Sequence, residues 1–351
     1  MTGRRVSQPI RVGTVTVGGG APVVVQSMTK TFTQDVKSTV AQVKELEEHG
    51  CEIVRVAVPD EEAAEALSAI KRGISIPLVA DIHFDHRLAL SALNAGVDGL
   101  RLNPGNIRDP EHIARVVQSA KERQVPIRIG VNAGSLPPAK DESLPIVECM
   151  VQAAMEQIRL LETMDFNLIK VSLKAFDVPT TIEAYRAIAG LMPYPLHLGI
   201  TEAGTQWRGS IRSAVGIGTL LYMGIGDTIR ASLTGHPREE VMVCWEILKS
   251  LNLRDRGPTM VSCPTCGRCH MDIASLAQAV ERRMAVIGRP LKVAVMGCGV
   301  NGPGEVKDAD IGIIGGKGKG AIFVKGKRVR TVAEKDMLEA FMTEVERLAL
   351  L

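Results

Sequence analysis

The chain has 351 residues, 45% hydrophobic and 23% charged, with 42 Lys and Arg against 39 Asp and Glu for a net charge of +3. This is globular composition, sufficient for one large domain or a large and a small one, and it excludes disorder, collagen-like repeats and coiled coil. The near-balanced charge gives no broad attraction for nucleic acid or membrane, and no uninterrupted apolar run reaches the roughly 18 residues of a membrane span.

The opening segment MTGRRVSQPIRVG has three arginines but no apolar run behind them. It does not read as an export signal, so a cytoplasmic protein is expected. From 21 to 252 the chain alternates short β-branched runs with helical stretches. The runs are VVVQSM (23–28), EIVRVAV (52–58), IPLVADIHF (76–84), GLRLNPGN (99–106), PIRIGVN (126–132), LIKVSLKA (168–175), PLHLGITEAG (195–204) and DTIRASLTG (227–235). Between them lie helical patterns such as DVKSTVAQVKELEEHG and DEEAAEALSAIKRG, the second ending on Gly73. Eight βα units in about 230 residues predict a (β/α)8 barrel of the TIM type, with a doubly wound sheet as the runner-up.

Period-2 alternation separates the two faces of each run. One face carries residues such as Val54, Val56, Leu100, Leu102, Ile127 and Ile129 and packs on the helices. The other carries Arg55, Asp81 with His83, Arg101 with Asn103, Arg128 with Asn132, Lys170 with Ser172 and Lys174, His197, and Arg230 with Ser232. An ordinary barrel fills its interior with Val, Ile and Leu. Burying an unpaired charge costs several kcal/mol, so a cation-rich interior implies an anionic ligand or a compensating network. Arg fork donors and Lys point charges suit such an anion. Asp81 and His83, two apart, form a pair that orients hydroxyl groups or moves protons. Glu202, in ITEAG, falls off the polar parity of its run and is expected in the loop at the C-terminal rim, where barrel chemistry occurs. Asp60 and Glu61 read as solvated helix-start residues.

Past residue 253 the polar stretch RDRGPTMVS reads as a linker. It divides a barrel domain (1–253) from a smaller α+β domain (254–351). The second domain is expected to hold a helix from about 272 to 287, strands LKVAVMG and DIGIIGG, a hairpin through GKGKGAIFVKGKRVR and a final helix. The lysines of the hairpin, Lys317, Lys319, Lys325 and Lys327, read first as a solvated surface and second as a docking patch for an acidic redox partner.

Four of the seven cysteines gather here: Cys263, Cys266, Cys269 and Cys298, the last leading a Gly- and Pro-rich turn that reaches Glu305. A metal site accounts for them better than disulfides do. Structural zinc would use Cys263, Cys266 and Cys298 with Cys269 or His270. The string from Cys266 to His270 matches a haem-attachment sequence, a chemistry that belongs with exported chains. A ferredoxin-type run breaks where its fourth ligand would be Ile273. An iron–sulfur cluster on three thiolates and a ligand of another kind is the remaining reading. Cys51, Cys149 and Cys244 read as buried structural thiols.

The strings ADIHF, LRLNPGNI, RIGVNAGSL, KVSLKA, LHLGITEAG, IGDTIRASL, SCPTCGRC and GCGVNGPGE, in this order, resemble the bacterial two-domain 4-hydroxy-3-methylbut-2-enyl diphosphate synthases, iron–sulfur enzymes of the non-mevalonate isoprenoid pathway. The resemblance runs from end to end. It implies reductive ring opening and dehydration of 2-C-methyl-D-erythritol 2,4-cyclodiphosphate, driven by flavodoxin or ferredoxin. It also implies a [4Fe–4S] cluster on Cys263, Cys266, Cys298 and Glu305, with Cys269 outside that pattern. The diphosphate then falls to Arg55, Arg101, Asn103, Arg128, Asn132, Lys174, Arg230 and Ser232, and the chemistry to Glu202, Asp81 and His83. The competing function is a barrel for a phosphorylated or pterin-like ligand with a structural zinc domain. Because the last barrel helix carries the chain away from the rim, and the linker is short, a homodimer in which each cluster domain caps the partner's barrel is expected, as the resemblance also implies.

Overall fold

The computed structural model describes residues 3–83, 85–102, 109–136 and 144–350. The chain forms two compact units, Met1–Arg254 and Asp255–Leu351.

In the first unit the hairpin β1 (Ile10–Val12) and β2 (Val15–Val17) precedes eight parallel strands, β3 (Val24–Met28), β4 (Ile53–Ala57), β5 (Leu78–Ile82), β6 (Gly99–Leu102), β7 (Ile127–Asn132), β8 (Ile169–Lys174), β9 (His197–Leu198) and β10 (Thr228–Ile229). Each pairs with the next in sequence from β3 to β8, and β10 pairs with both β9 and β3. The remaining gap is spanned by a single bridge, Val171 to Leu196, so the strands form a nearly closed TIM-type barrel. The last two strands are far shorter than the expected runs 195–204 and 227–235. Their continuations hold Gly199 and the side chains of the rim, and there the backbone leaves the ladder for the site.

Helices α1 (Val36–Glu48), α2 (Glu61–Gly73), α3 (His86–Asn94), α4 (Pro110–Glu122), α5 (Ile146–Thr163), α6 (Val178–Ala189), α7 (Gln206–Tyr222) and α8 (Pro237–Ser250) cover the outside. Five of them start on an aspartate whose carboxylate accepts a first-turn N–H: Asp35, Asp60, Asp85, Asp109 and Asp177. Each such cap is worth about 1 kcal/mol. Asp60 thus has a structural assignment. Val54, Leu100, Ile127, Ile169 and Leu196 join the buried faces of these helices in one large core, as strand parity requires.

The β1–β2 hairpin, not foreseen in the sequence, packs Ile10, Val12 and Val17 on Val24, Ile53 and Val79, which stand at the beginnings of their strands. It closes the N-terminal end of the barrel with an apolar plug, above which the interior turns polar.

The second unit is a five-stranded sheet in the order β11 (Thr259–Ser262), β12 (Lys292–Met296), β13 (Ile311–Gly316), β14 (Lys319–Val324) and β15 (Lys327–Ala333). Helices α9 (Ile273–Met284) and α11 (Met337–Ala349) bury Ile273, Val280, Phe341 and Val345 against it, and a short helix α10 (Gly302–Lys307) follows β12. Thr259–Ser262, expected to belong to the linker, is instead an edge strand parallel to β12. Only 255–258 separate the barrel unit from this sheet. Cys149 is half-buried rather than buried, whereas Cys51 and Cys244 are buried.

Candidate active site and cluster ligands

Parallel register sets Asp81, Arg101, Arg128 and Lys170 side by side on β5 to β8. Each side chain points into the barrel because its strand neighbours point outward to the helices. All four are nearly inaccessible to solvent. Arg101 Nη1 lies 3.0 Å from Asp81 Oδ1 and 2.8 Å from His83 Nε2, and Arg55 Nε lies 3.6 Å from Asp81 Oδ2. Burial opposes the charge on Asp81, but Arg55, His83, Arg101 and Arg128 outweigh it and hold the carboxyl far below the usual range. On the far wall Arg230 Nη2 lies 3.1 Å from Glu240 Oε2, and its Nη1 donates to Ser232 Oγ at 2.6 Å. Glu240, which sequence reasoning missed because it lies on α8, also takes Lys30 Nζ at 3.2 Å and the Leu233 N–H at 3.1 Å.

These carboxylates leave most of the charge unanswered. Six cations, Arg55, Arg101, Arg128, Lys170, Lys174 and Arg230, share Asp81 and Glu240. Arg128 donates from Nη1 to Ser172 Oγ at 2.8 Å, while its buried Nε and Nη2 have no partner. Lys170 and Lys174 make no ion pair among the described residues. Burial first, then neighbouring cations, lowers Arg55 to about 10 and Lys170 to about 7, and depresses Arg128 and Lys174 strongly. His197, bonded through Nδ1 to Thr228 Oγ1 at 2.7 Å, is held neutral by the same causes. A well of buried donors lacking counter-charge is a receptor for a compact polyanion.

Two glycines make the room. A Cβ on Gly130 would stand 2.8 Å from Arg101 Nε, and one on Gly199 would stand 2.7 Å from Lys174 Nζ and 2.6 Å from the Arg230 carbonyl oxygen. Both lie on the inward parity, two residues beyond Arg128 and His197, and that spacing was the available sequence signal.

Glu202 sits in the turn after β9 with φ +52 and is exposed. It lines a cleft with Asn132, Ala133, Ser135, Phe176, Asp177 and Thr201. Asn132 in turn is the register partner of Lys174, so the cleft adjoins the cationic well. A left-handed non-glycine residue costs on the order of 1 kcal/mol, a strain that marks functional loops. Asn103 lies outside the described residues.

In the second unit Cys263 follows β11 and its N–H donates to the Val295 carbonyl at 2.9 Å, while Cys298 lies two residues past the end of β12. Both therefore emerge at one edge of the sheet, with exposed Cys266 in the next turn and Glu305 on α10. All four cysteines are free thiols. Among the described residues no three His, Cys, Asp or Glu side chains close on one point suited to an ion. The donor chemistry nevertheless fits an iron–sulfur group: soft thiols and one carboxylate on a single edge, with the Cys298 thiol lowered by the Val300 backbone and Arg268. Cys269 has a local partner. Its Sγ donates to the Met271 carbonyl at 3.2 Å and fills the space beside Gly297, where a Cβ would come within 2.7 Å of it.

Residues 7–245 match the family model described as the GcpE TIM-barrel domain, and 259–347 match that of the GcpE protein C-terminal domain. A 4-hydroxy-3-methylbut-2-en-1-yl diphosphate synthase (flavodoxin) of Dehalococcoides mccartyi strain BAV1 is 62% identical over 99% of this chain and 100% of its own length. Its namesake from Geobacter sulfurreducens is 56% identical over 97% and 98%. Among solved structures, a dihydropteroate synthase of Xanthomonas albilineans aligns with TM-score 0.51 and 13% identity over 70% of this chain and 99% of that one, a likeness of fold alone. Among the described residues no helix is long and apolar enough to cross a membrane.

Proposed function

The chain belongs to the GcpE family, and we propose that its barrel well holds 2-C-methyl-D-erythritol 2,4-cyclodiphosphate through Arg55, Arg101, Arg128, Lys174 and Arg230, with Asn103, Asn132 and Ser232 as further hydrogen-bonding groups. The reaction is that of the 4-hydroxy-3-methylbut-2-en-1-yl diphosphate synthases, an oxidoreductase step of isoprenoid biosynthesis. Ring opening takes up two electrons and two protons and releases one water. The zinc-domain, pterin-type alternative has no support among the relatives.

The surplus of buried cations over carboxylates carries the binding assignment. A cyclic diphosphate supplies the missing negative charge and the acceptors for Arg128 Nε and Nη2. Asp81, ionised and tied to Arg55 and Arg101, is a positioning residue that fixes both guanidiniums. Proton movement near it falls to His83. Glu202, at the rim, serves as the acid toward the departing oxygen. Cys263, Cys266, Cys298 and Glu305 would hold a [4Fe–4S] cluster, which when bound supplies electrons and a Lewis-acidic iron beside a replaceable carboxylate. The electron donor is a flavodoxin, the protein that the relatives' names carry, and the reaction runs in the cytoplasm.

Calorimetry tests the well. Replacing one of Arg101, Arg128 or Arg230 by Met should weaken cyclic diphosphate binding about ten- to hundredfold, the worth of one charged hydrogen-bonding group. Unchanged affinity across the three variants would remove the assignment. Binding should also take up protons. The ammonium of Lys170, ordinarily near 10.5 and lowered to about 7 here, regains its proton beside a dianion. The complex then holds more protons than the free protein between those values, so affinity falls as pH rises through that window. Titrations in buffers of different ionisation enthalpy read this uptake directly, and zero uptake at pH 8 would contradict it.

We further propose the homodimer in which each cluster domain caps the partner's barrel. Arg254 ends the barrel unit by pairing with Glu52 at 2.7 and 2.9 Å and donating to the Val23 carbonyl, both at the beginnings of strands and so opposite the rim. Cys263 follows nine residues later, a reach of at most about 30 Å. On α7, Trp207, Ile211, Val215 and Tyr222 form an exposed apolar stripe, with Trp207 77% accessible, suited to a second copy. Mixing a Cys298→Ser chain with a Glu202→Gln chain should restore activity at one of the two sites in each heterodimer. No recovery in a mixture shown to contain heterodimers would place the cluster over its own barrel.

A further inference from the structure

The run from Ile311 to Ala333 contains six cations, Lys317, Lys319, Lys325, Lys327, Arg328 and Arg330, and no acidic residue. It folds as β13, β14 and β15, and all six side chains are exposed. None makes an ion pair among the described residues, although surface cations elsewhere in the chain, such as Lys121 and Arg283, do find carboxylates. β15 is the outer strand of the sheet, exposed along nearly its whole length, with Val329 52% accessible between Arg328 and Arg330. Unpaired like charge around a small apolar centre carries the features of a transient electrostatic interface.

Its position gives it a role. The β14–β15 turn is built on Lys325 at φ +48 and Gly326 at φ +72, and the Lys325 N–H donates to the Asp310 carbonyl at 2.9 Å. A Cβ on Gly326 would lie 3.4 Å from Lys307 Cα, so the turn rests directly on α10. Lys307 lies two residues from Glu305 on that helix, an advance of about 3 Å along its axis. The cationic turn therefore borders the helix that carries the carboxylate assigned to the cluster.

We propose that the β14–β15 hairpin is the docking surface for the electron donor, an acidic flavin-carrying protein, and that electrons enter the second unit beside α10. The proposal rests on the synthase reading above. Each encounter oxidises the donor by one electron and reduces the protein by one, so two encounters supply the two electrons of ring opening. A purely protective role, lysines guarding an edge strand against self-pairing, is the alternative outcome.

The test compares wild-type holoenzyme with a Lys325→Glu/Lys327→Glu/Arg328→Glu variant, reading flavodoxin affinity by calorimetry at low and high salt. It also reads turnover driven by reduced flavodoxin or by dithionite. The expected result is a flavodoxin Kd and KM raised at least tenfold at low salt, a wild-type affinity that falls with salt and a variant affinity that does not, with iron content and dithionite-driven turnover unchanged. A Lys325→Gln/Lys327→Gln/Arg328→Gln variant, gentler on folding, should show a smaller rise in the same direction. Equal low-salt affinity for wild type and the neutral variant would overturn the proposal. Wild-type holoenzyme inactive with dithionite as well as flavodoxin would overturn the synthase reading, and the docking role with it.

Discussion

Replacing Cys298 with serine is expected to abolish iron retention and turnover together. The reason is ligand chemistry: iron in a sulfide cluster favours thiolate, and a serine hydroxyl is a harder and much less acidic donor. Cys298 is placed for the role at the edge where β12 ends, with its thiol lowered by the Val300 backbone and Arg268, and Cys263 leaves the adjacent strand β11 at the same edge. Cys263→Ser and Cys266→Ser should behave likewise. Cys269→Ser should keep iron, colour and activity, because Cys269 Sγ is bonded to the Met271 carbonyl and packed beside Gly297. Anaerobic iron and sulfide analysis with visible absorption reads all four variants. Loss of iron in the Cys269 variant with retention in the Cys298 variant would reverse the ligand assignment. Glu305→Ala should give a less stable cluster with reduced iron, and wild-type iron content with wild-type turnover would remove the carboxylate ligand.

Glu202→Gln should lower kcat by about 100-fold or more while leaving KM nearly unchanged. A positioned proton donor contributes roughly 10²–10⁴-fold, and the amide keeps the shape of the side chain while losing the acid. Glu202 has a left-handed backbone at the rim and lines the same cleft as Asn132. Stopped-time assays over a range of substrate concentrations separate the two parameters. A Gln variant with normal kcat would exclude the residue from proton transfer.

Much of this site was readable from side-chain alternation, because a parallel barrel strand sends every second residue inward. The parity that placed Arg55, Asp81, Arg101, Arg128 and Lys170 on one face is the parity the sheet shows. Glu240 was not readable, since it belongs to a helix whose buried side is otherwise apolar, and only the three-dimensional path of α8 brings its carboxylate to Arg230 and Lys30. The β1–β2 hairpin escaped because three-residue strands leave little periodic signal. Thr259–Ser262 was read as linker because its Gly-Pro approach resembles a domain boundary, while the strand itself is an edge strand whose four residues are all at least partly exposed. The short β9 and β10 reflect the opposite error: β-branched runs continue past the last ladder bond into the rim.

The central claim, a cationic barrel joined to a redox domain that opens a cyclic diphosphate, is tested most directly by phosphorus NMR. The anaerobically reconstituted protein is given 2-C-methyl-D-erythritol 2,4-cyclodiphosphate and a measured quantity of reduced flavodoxin. The account predicts that the ring-diphosphate resonances disappear and those of 4-hydroxy-3-methylbut-2-enyl diphosphate replace them, with two electrons consumed per product. Intact cyclic diphosphate alongside a fully loaded, reducible cluster would contradict it.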